Sequence, residues 1–200
     1  MCKLHMQSRH VEPIPIKDSI KSGVVAGQAA AWAIFGVFLA IDSAVLMMPP
    51  GAFYKTIGMA LGQGPATDVY VGFLMHMVTA TVIGIIYMII SDRVRPLYIS
   101  SVFKGLATGQ ITGVVAWAVL FLPLHFTVIQ PMLTATAQGS ESEGFTTAGQ
   151  LSELSDGQIA SRLVAFSDSV LIGSLALHIL FGAVLGFLGR LGTSSREMLS

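Results

Sequence analysis

The sequence predicts an all-α polytopic membrane protein. Four stretches, Ser22–Ile41, Val69–Ser91, Gly105–Gln130 and Ser169–Gly189, carry no Lys, Arg, Asp or Glu. A helix rises about 1.5 Å per residue, so about 20 apolar residues cover a hydrocarbon core about 30 Å thick. Lipid offers no partners to the backbone, so each stretch must satisfy its own N–H and C=O groups as a helix. Composition agrees: hydrophobic residues make up 53% of the chain and charged residues 11%, about half the charged share of a soluble domain. Basic residues alternate between sides as four crossings require. Lys3, Arg9, Lys17, Lys21, Arg93, Arg95, Lys104, Arg190 and Arg196 fall on one side, and Lys55 and Arg162 on the other. By the positive-inside rule, the cell membrane is crossed with both termini in the cytoplasm.

The 200 residues divide into an N-terminal tail (1–20), one four-helix domain (21–190) and a C-terminal tail (191–200). The domain carries outer loops at 49–68 and 127–167. Met1–Lys21 mixes His5, Arg9, His10, Glu12, Lys17 and Asp18 with Pro13 and Pro15 and has no apolar core, so the first span reads as retained. Cys2 is the single cysteine, which excludes an internal disulfide and a cysteine metal cluster. The chain has no Asn and hence no N-glycosylation site. Zero net charge gives no footprint for nucleic acid.

After span one, Pro49 and Pro50 stop the helix, because proline lacks the N–H that a helix interior needs. Phe53, Tyr54, Ile57 and Leu61 then recur at helical spacing around Lys55. This predicts a short interfacial helix with its aromatics at headgroup depth. In the second outer loop, Thr134–Gln150 is rich in Ser, Thr, Gly, Ala and Glu and predicts irregular chain. Ser155-Asp156-Gly157-Gln158 resembles a capping box, and Ile159, Leu163 and Phe166 form one apolar face behind it. A short amphipathic helix follows, leading into span four.

An internal repeat is legible. Span one opens Gly23-Val24-Val25-Ala26-Gly27-Gln28 and span three opens Gly105-Leu106-Ala107-Thr108-Gly109-Gln110, with Ala31 matching Gly113 at the same offset of 82. His76, Ala80 and Gly84 in span two match His178, Gly182 and Gly186 in span four at an offset of 102. Two parallel hairpin repeats about an axis along the membrane normal are the expectation. The faces through Gly23, Gly27 and Ala31, and through Gly105, Gly109 and Gly113, let backbones approach, so they read as packing surfaces, as do Gly84, Gly182 and Gly186 on the histidine-bearing spans. Gln28 and Gln110 beside them read as interhelical hydrogen-bonding groups.

His76, His178, His125 and Asp42 all fall in the outer half of the membrane. Ionisable groups there are costly and call for an explanation. Four stand open: mutual hydrogen bonding that locks the bundle; a copper or zinc site, since imidazole suits both ions; a haem b held by His76 and His178, with glycines leaving room for a macrocycle; or passage of protons or solute. No nucleophile–base pair, phosphate loop or paired-carboxylate motif points to an enzyme. Trp32 and Trp117, inside spans one and three, read as lipid-facing surface.

The G-x-x-x-G helix, the histidine-bearing helix ending Gly84-Ile85-Ile86-Tyr87, the second G-x-x-x-G helix ending Leu122-Pro123 and the last histidine-bearing helix together resemble small four-helix membrane proteins of the YagU type. That resemblance covers residues 20–190 and implies fold only; the acidic outer loop departs from it. The Met-rich, cysteine-poor chain with Pro-Pro-Gly-Ala-Phe-Tyr after span one also resembles membrane proteins of ammonia-oxidising archaea. Those organisms carry a copper membrane monooxygenase (ammonia monooxygenase) with small accessory helical subunits. This second likeness implies a non-catalytic accessory subunit in contact with lipid and with other integral membrane subunits.

Overall fold

The computed structural model describes residues 14–140 and 154–199. The tail before Ile14, the acidic positions Glu141, Glu143 and Glu153, and the side chain of Arg196 lie outside what it describes. Helices α1 (Ile16–Ala44), α2 (Ala52–Ala60) and α3 (Asp68–Arg93) come first. They are followed by α4 (Val102–Gly139), α5 (Asp156–Ala165) and α6 (Ser167–Leu199). Four of these, α1, α3, α4 and α6, are long and apolar enough to cross a membrane.

Small residues set the packing. A Cβ added at Gly23 would meet the backbone of Gly84 and Ile85, and one at Gly27 would meet Ala80 O. Gly105 stands likewise against Gly186, Gly109 against Gly182, and Gly113 against His178 O. Backbones therefore touch where the sequence carries no side chain, and α1 lies along α3 as α4 lies along α6. In addition α1 packs along α6, whereas α3 and α4 scarcely touch. The main core gathers Ala30, Ile34 and Phe38 of α1, Met77 and Met88 of α3, and Leu177, Phe181 and Leu185 of α6.

Helix α4 departs from ideal α geometry twice. Residues Trp117–Phe121 and His125–Ile129 form wide π turns, and each ends two residues before a proline, Pro123 and Pro131. A proline ring collides with the carbonyl four residues back, here Val119 and Thr127. Both carbonyls sit inside the widened turns, which accommodate the rings without ending the helix.

One sequence expectation is corrected at one end of the bundle. Helix continues through Thr134–Ser140, where irregular chain was expected. Ile129 and Leu133 are buried there against Ile159 and Leu163 of α5, and this burial outweighs the weak local propensity. Likewise α2 forms as a helix, and one of its aromatics is turned into the bundle rather than outward. Tyr54 is only 2% exposed, turned into the bundle among Phe35, Phe38 and Phe73. The reason is backbone contact: Gly72 of α3 stands against Tyr54 O and Gly58 N, and Gly58 against Asp68 O, so α2 lies directly on the start of α3.

Candidate functional site

The polar groups inside the bundle form a cap at the α2–α5 end and a histidine layer beneath it. Asp42 is the first element of the cap. The chain leaves α1 through Met47, a non-glycine residue at φ 52°, and reaches α2 after Pro49 and Pro50. The Asp42 carboxylate accepts from Gly51 N at 2.9 Å and from Phe53 N at 3.4 Å. A helix start leaves N–H groups unpaired and carries partial positive charge, and a carboxylate answers both. Asp42, reaching over from α1, thus serves as the cap that Gly51 has no side chain to supply.

Lys55 is the second element. Its Nζ lies 2.7 Å from Asp68 Oδ2 and 3.0 Å from Asp156 Oδ1, joining α2 to the first turns of α3 and α5. Burial alone would lower the Lys55 pKa, but hydrogen bonds and charge from both aspartates outweigh it and leave the value raised. Asp68 is buried and also accepts from Val69 N at 2.6 Å. Arg162 of α5 donates to Met47 O, so both basic residues of this end are used in ties. Ser155 and Gln158 complete the capping box of α5, as the sequence indicates. Burial, and next the charge of Asp42, push the Tyr54 phenol upward, so it stays protonated.

In the layer below, the His76 ring meets Phe38, Tyr54 and Phe53 edge-on at 5.5, 5.5 and 6.3 Å. His125 stacks on Phe121 at 5.3 Å, and His178 lies 5.8 Å from the same ring. The His178 Nδ1–H donates to Ser174 O at 2.7 Å one turn back, and Ser174 Oγ accepts from Trp117 Nε1 at 2.9 Å. Tyr54 Oη, His76 Nε2 and His125 Nε2 are buried with no hydrogen-bond partner among the described residues.

The candidate ligands His76, His178, His125 and Asp42 do not form one ligand set, although His125 and His178 share Phe121 as a neighbour. Among the described residues no group of three or more His, Cys, Asp or Glu could hold a metal ion. Nor do the glycines leave a gap for a macrocycle: Gly84 is filled by Gly23 and Gly27, and Gly182 and Gly186 by Gly109 and Gly105. Gln28 donates to Met77 O at 3.1 Å and to Thr81 Oγ1 at 2.5 Å, a bond between α1 and α3. Gln110, its counterpart in the motif, is exposed and makes no such bond among the described residues. Trp32 is 56% exposed on the outer face of α1, while Trp117 turns inward to Ser174.

Sequence reasoning missed the Lys55–Asp68–Asp156 junction and the capping role of Asp42. The pairing of Lys55 with Asp156 spans more than a hundred positions, and no local pattern announces it. No family model, no characterised protein and no solved structure matches this chain. The fold and its polar groups define an all-helical bundle with four helices fit to cross a membrane.

Proposed function

We propose that this chain is a non-catalytic structural subunit of a multi-subunit membrane complex, held in the cell membrane with both termini in the cytoplasm. The observation that carries the reading is the use to which its polar residues are put. Asp42 caps α2, Lys55 joins three helices, Gln28 bonds α1 to α3, and His178 and Trp117 bond through Ser174. Each of these groups positions a helix. The assembly that the second resemblance suggests is a copper membrane monooxygenase of the archaeal ammonia-oxidising kind, with this chain as scaffold.

Two related hairpins account for the architecture. Shifting Gly23–Gly84 by the offsets 82 and 102 gives Gly105–Gly186, and Gly27–Ala80 gives Gly109–Gly182. The same positions meet in both halves, which supports a duplicated unit about an axis along the membrane normal.

Extraction from native membranes in mild detergent, with a C-terminal tag, tests the role. Integral membrane subunits should co-purify in fixed ratio, copper-bearing ones if the assembly is the monooxygenase. A stable monomer without partners overturns the proposal. A second reading, passage of a small solute, draws support from the unpartnered Tyr54 Oη, His76 Nε2 and His125 Nε2. Flux into liposomes that His76→Ala abolishes would favour it over the scaffold.

A further inference from the structure

The two halves are not closed alike. Under the hairpin correspondence, the α1–α6 contact and the α3–α4 contact are equivalents. The first is packed, and the second is open. The gap between α3 and α4 is a groove of about 330 Å³, lined by aliphatic side chains such as Ile83, Ile86, Ile111, Val115 and Val119. Its few hydroxyls are already satisfied. Tyr87 Oη lies 2.9 Å from Thr108 Oγ1, and Thr112 Oγ1 donates to Thr108 O at 2.9 Å. The groove therefore asks for an apolar occupant.

Its length and its mouth say which. The lining follows α4 from Thr108 to Leu120, about 18 Å at 1.5 Å per residue, close to one leaflet of a hydrocarbon core about 30 Å thick. At one end it is closed by Leu97, in the loop that joins the two helices. Arg93 at the end of α3, Arg95 in that loop and Lys104 in the first turn of α4 flank it, and they pair with no carboxylate among the described residues. Phe103 beside them is 82% exposed, as an interfacial aromatic would be. A leaflet-long apolar trough with these cations beside its end matches the two ends of one amphiphile.

We propose that the α3–α4 groove binds one anionic phospholipid, with an acyl chain along Ile111 and Val115 and its phosphate at Arg93, Arg95 and Lys104. Cations at a membrane surface attract anionic headgroups, and the groove fixes where the lipid sits. The inference needs the helices to span a bilayer, and it stands whether or not the chain is a scaffold.

Native mass spectrometry of the detergent-purified full chain, titrated with dioleoylphosphatidylglycerol or dioleoylphosphatidylcholine, tests it. One phosphatidylglycerol should bind about tenfold more tightly than phosphatidylcholine. The triple substitution Arg93→Gln, Arg95→Gln, Lys104→Gln should bring the two lipids within about twofold of each other. Val115→Trp, which fills the groove, should cut retention of both lipids about fivefold or more. Val82→Trp, on an exposed part of α3 outside the groove, should leave retention unchanged and controls for folding. Equal affinity for the two lipids, retention by Val115→Trp equal to wild type, or a partner helix or second copy cross-linked at Val115 would each overturn the proposal.

Discussion

Gly109 and Gly182 face each other backbone to backbone: a Cβ on either residue would strike the other's carbonyl oxygen. Neither side can yield, because the obstacle is main chain rather than a flexible side chain. Gly109→Val should therefore part α4 from α6 and cost about 3 kcal/mol or more, beyond the usual range for overpacking. Gly36 provides the contrast, since it lies mid-helix with open space around its Cα. Gly36→Ala should stabilise α1 by about 0.5–1 kcal/mol. Unfolding of both variants in detergent, followed by circular dichroism, checks the difference in sign.

Removing the carboxylate of Asp42 should loosen α2. Asp42→Ala leaves Gly51 N and Phe53 N without their acceptor, at a cost of about 1–2 kcal/mol. Asp42→Asn keeps an acceptor oxygen and should lose less than half as much. Amide exchange at Gly51–Tyr54 should speed up in the alanine variant before the long helices respond.

The Lys55 junction should be unequal in its two arms. Asp68 is 1% exposed and Asp156 is 37% exposed. Lys55→Met strands a buried carboxylate and should cost about 3 kcal/mol, and adding Asp68→Asn should recover most of it. Asp156→Asn alone should cost less than about 1 kcal/mol. The pH dependence follows from the raised Lys55 pKa. A raised basic group stabilises fully below its unfolded value of about 10.4 and loses that contribution as pH climbs through the higher folded value. Wild type should thus lose stability on the alkaline side, and Lys55→Met should lose less.

Gln28 and Gln110 occupy equivalent motif positions but not equivalent surroundings. Gln28→Leu removes the bonds to Met77 and Thr81 and should cost about 0.5–1.5 kcal/mol. Gln110→Leu, at an exposed site, should be within about 0.5 kcal/mol of wild type. Equal losses in an unfolding assay would contradict the asymmetry.

Tyr54→Phe deletes a buried hydroxyl that lacks a partner among the described residues. It should leave thermal stability unchanged or raise it by up to about 1 kcal/mol. A loss of several kcal/mol would mean that the hydroxyl has an ordered partner.

The long helices were legible because crossing lipid demands about 20 consecutive apolar residues, a signal few sequences mimic. The turn at Ser155 was legible too, since a capping box is written within four residues. Gly109 and Gly182 could be read as packing positions, though not as partners of each other. Asp42 was read as an expensive intramembrane charge, and the groups that make it affordable, Gly51 N and Phe53 N, are backbone atoms that carry no sequence signature. Pro123 and Pro131 were visible, yet the response to them was not: a helix can end, kink or widen, and buried Phe121 and Ile129 on either side of Pro123 hold it to the third course.

Lys55 also sets an order of assembly. Its salt bridge to Asp68 joins neighbours in the chain, so it can close as soon as the first hairpin has emerged. The bridge to Asp156 must wait until α4 has also been made. The same ammonium therefore serves first as a clasp within one hairpin and later as a latch between halves, and synthesis halted before Asp156 should leave a closed hairpin with a vacant latch.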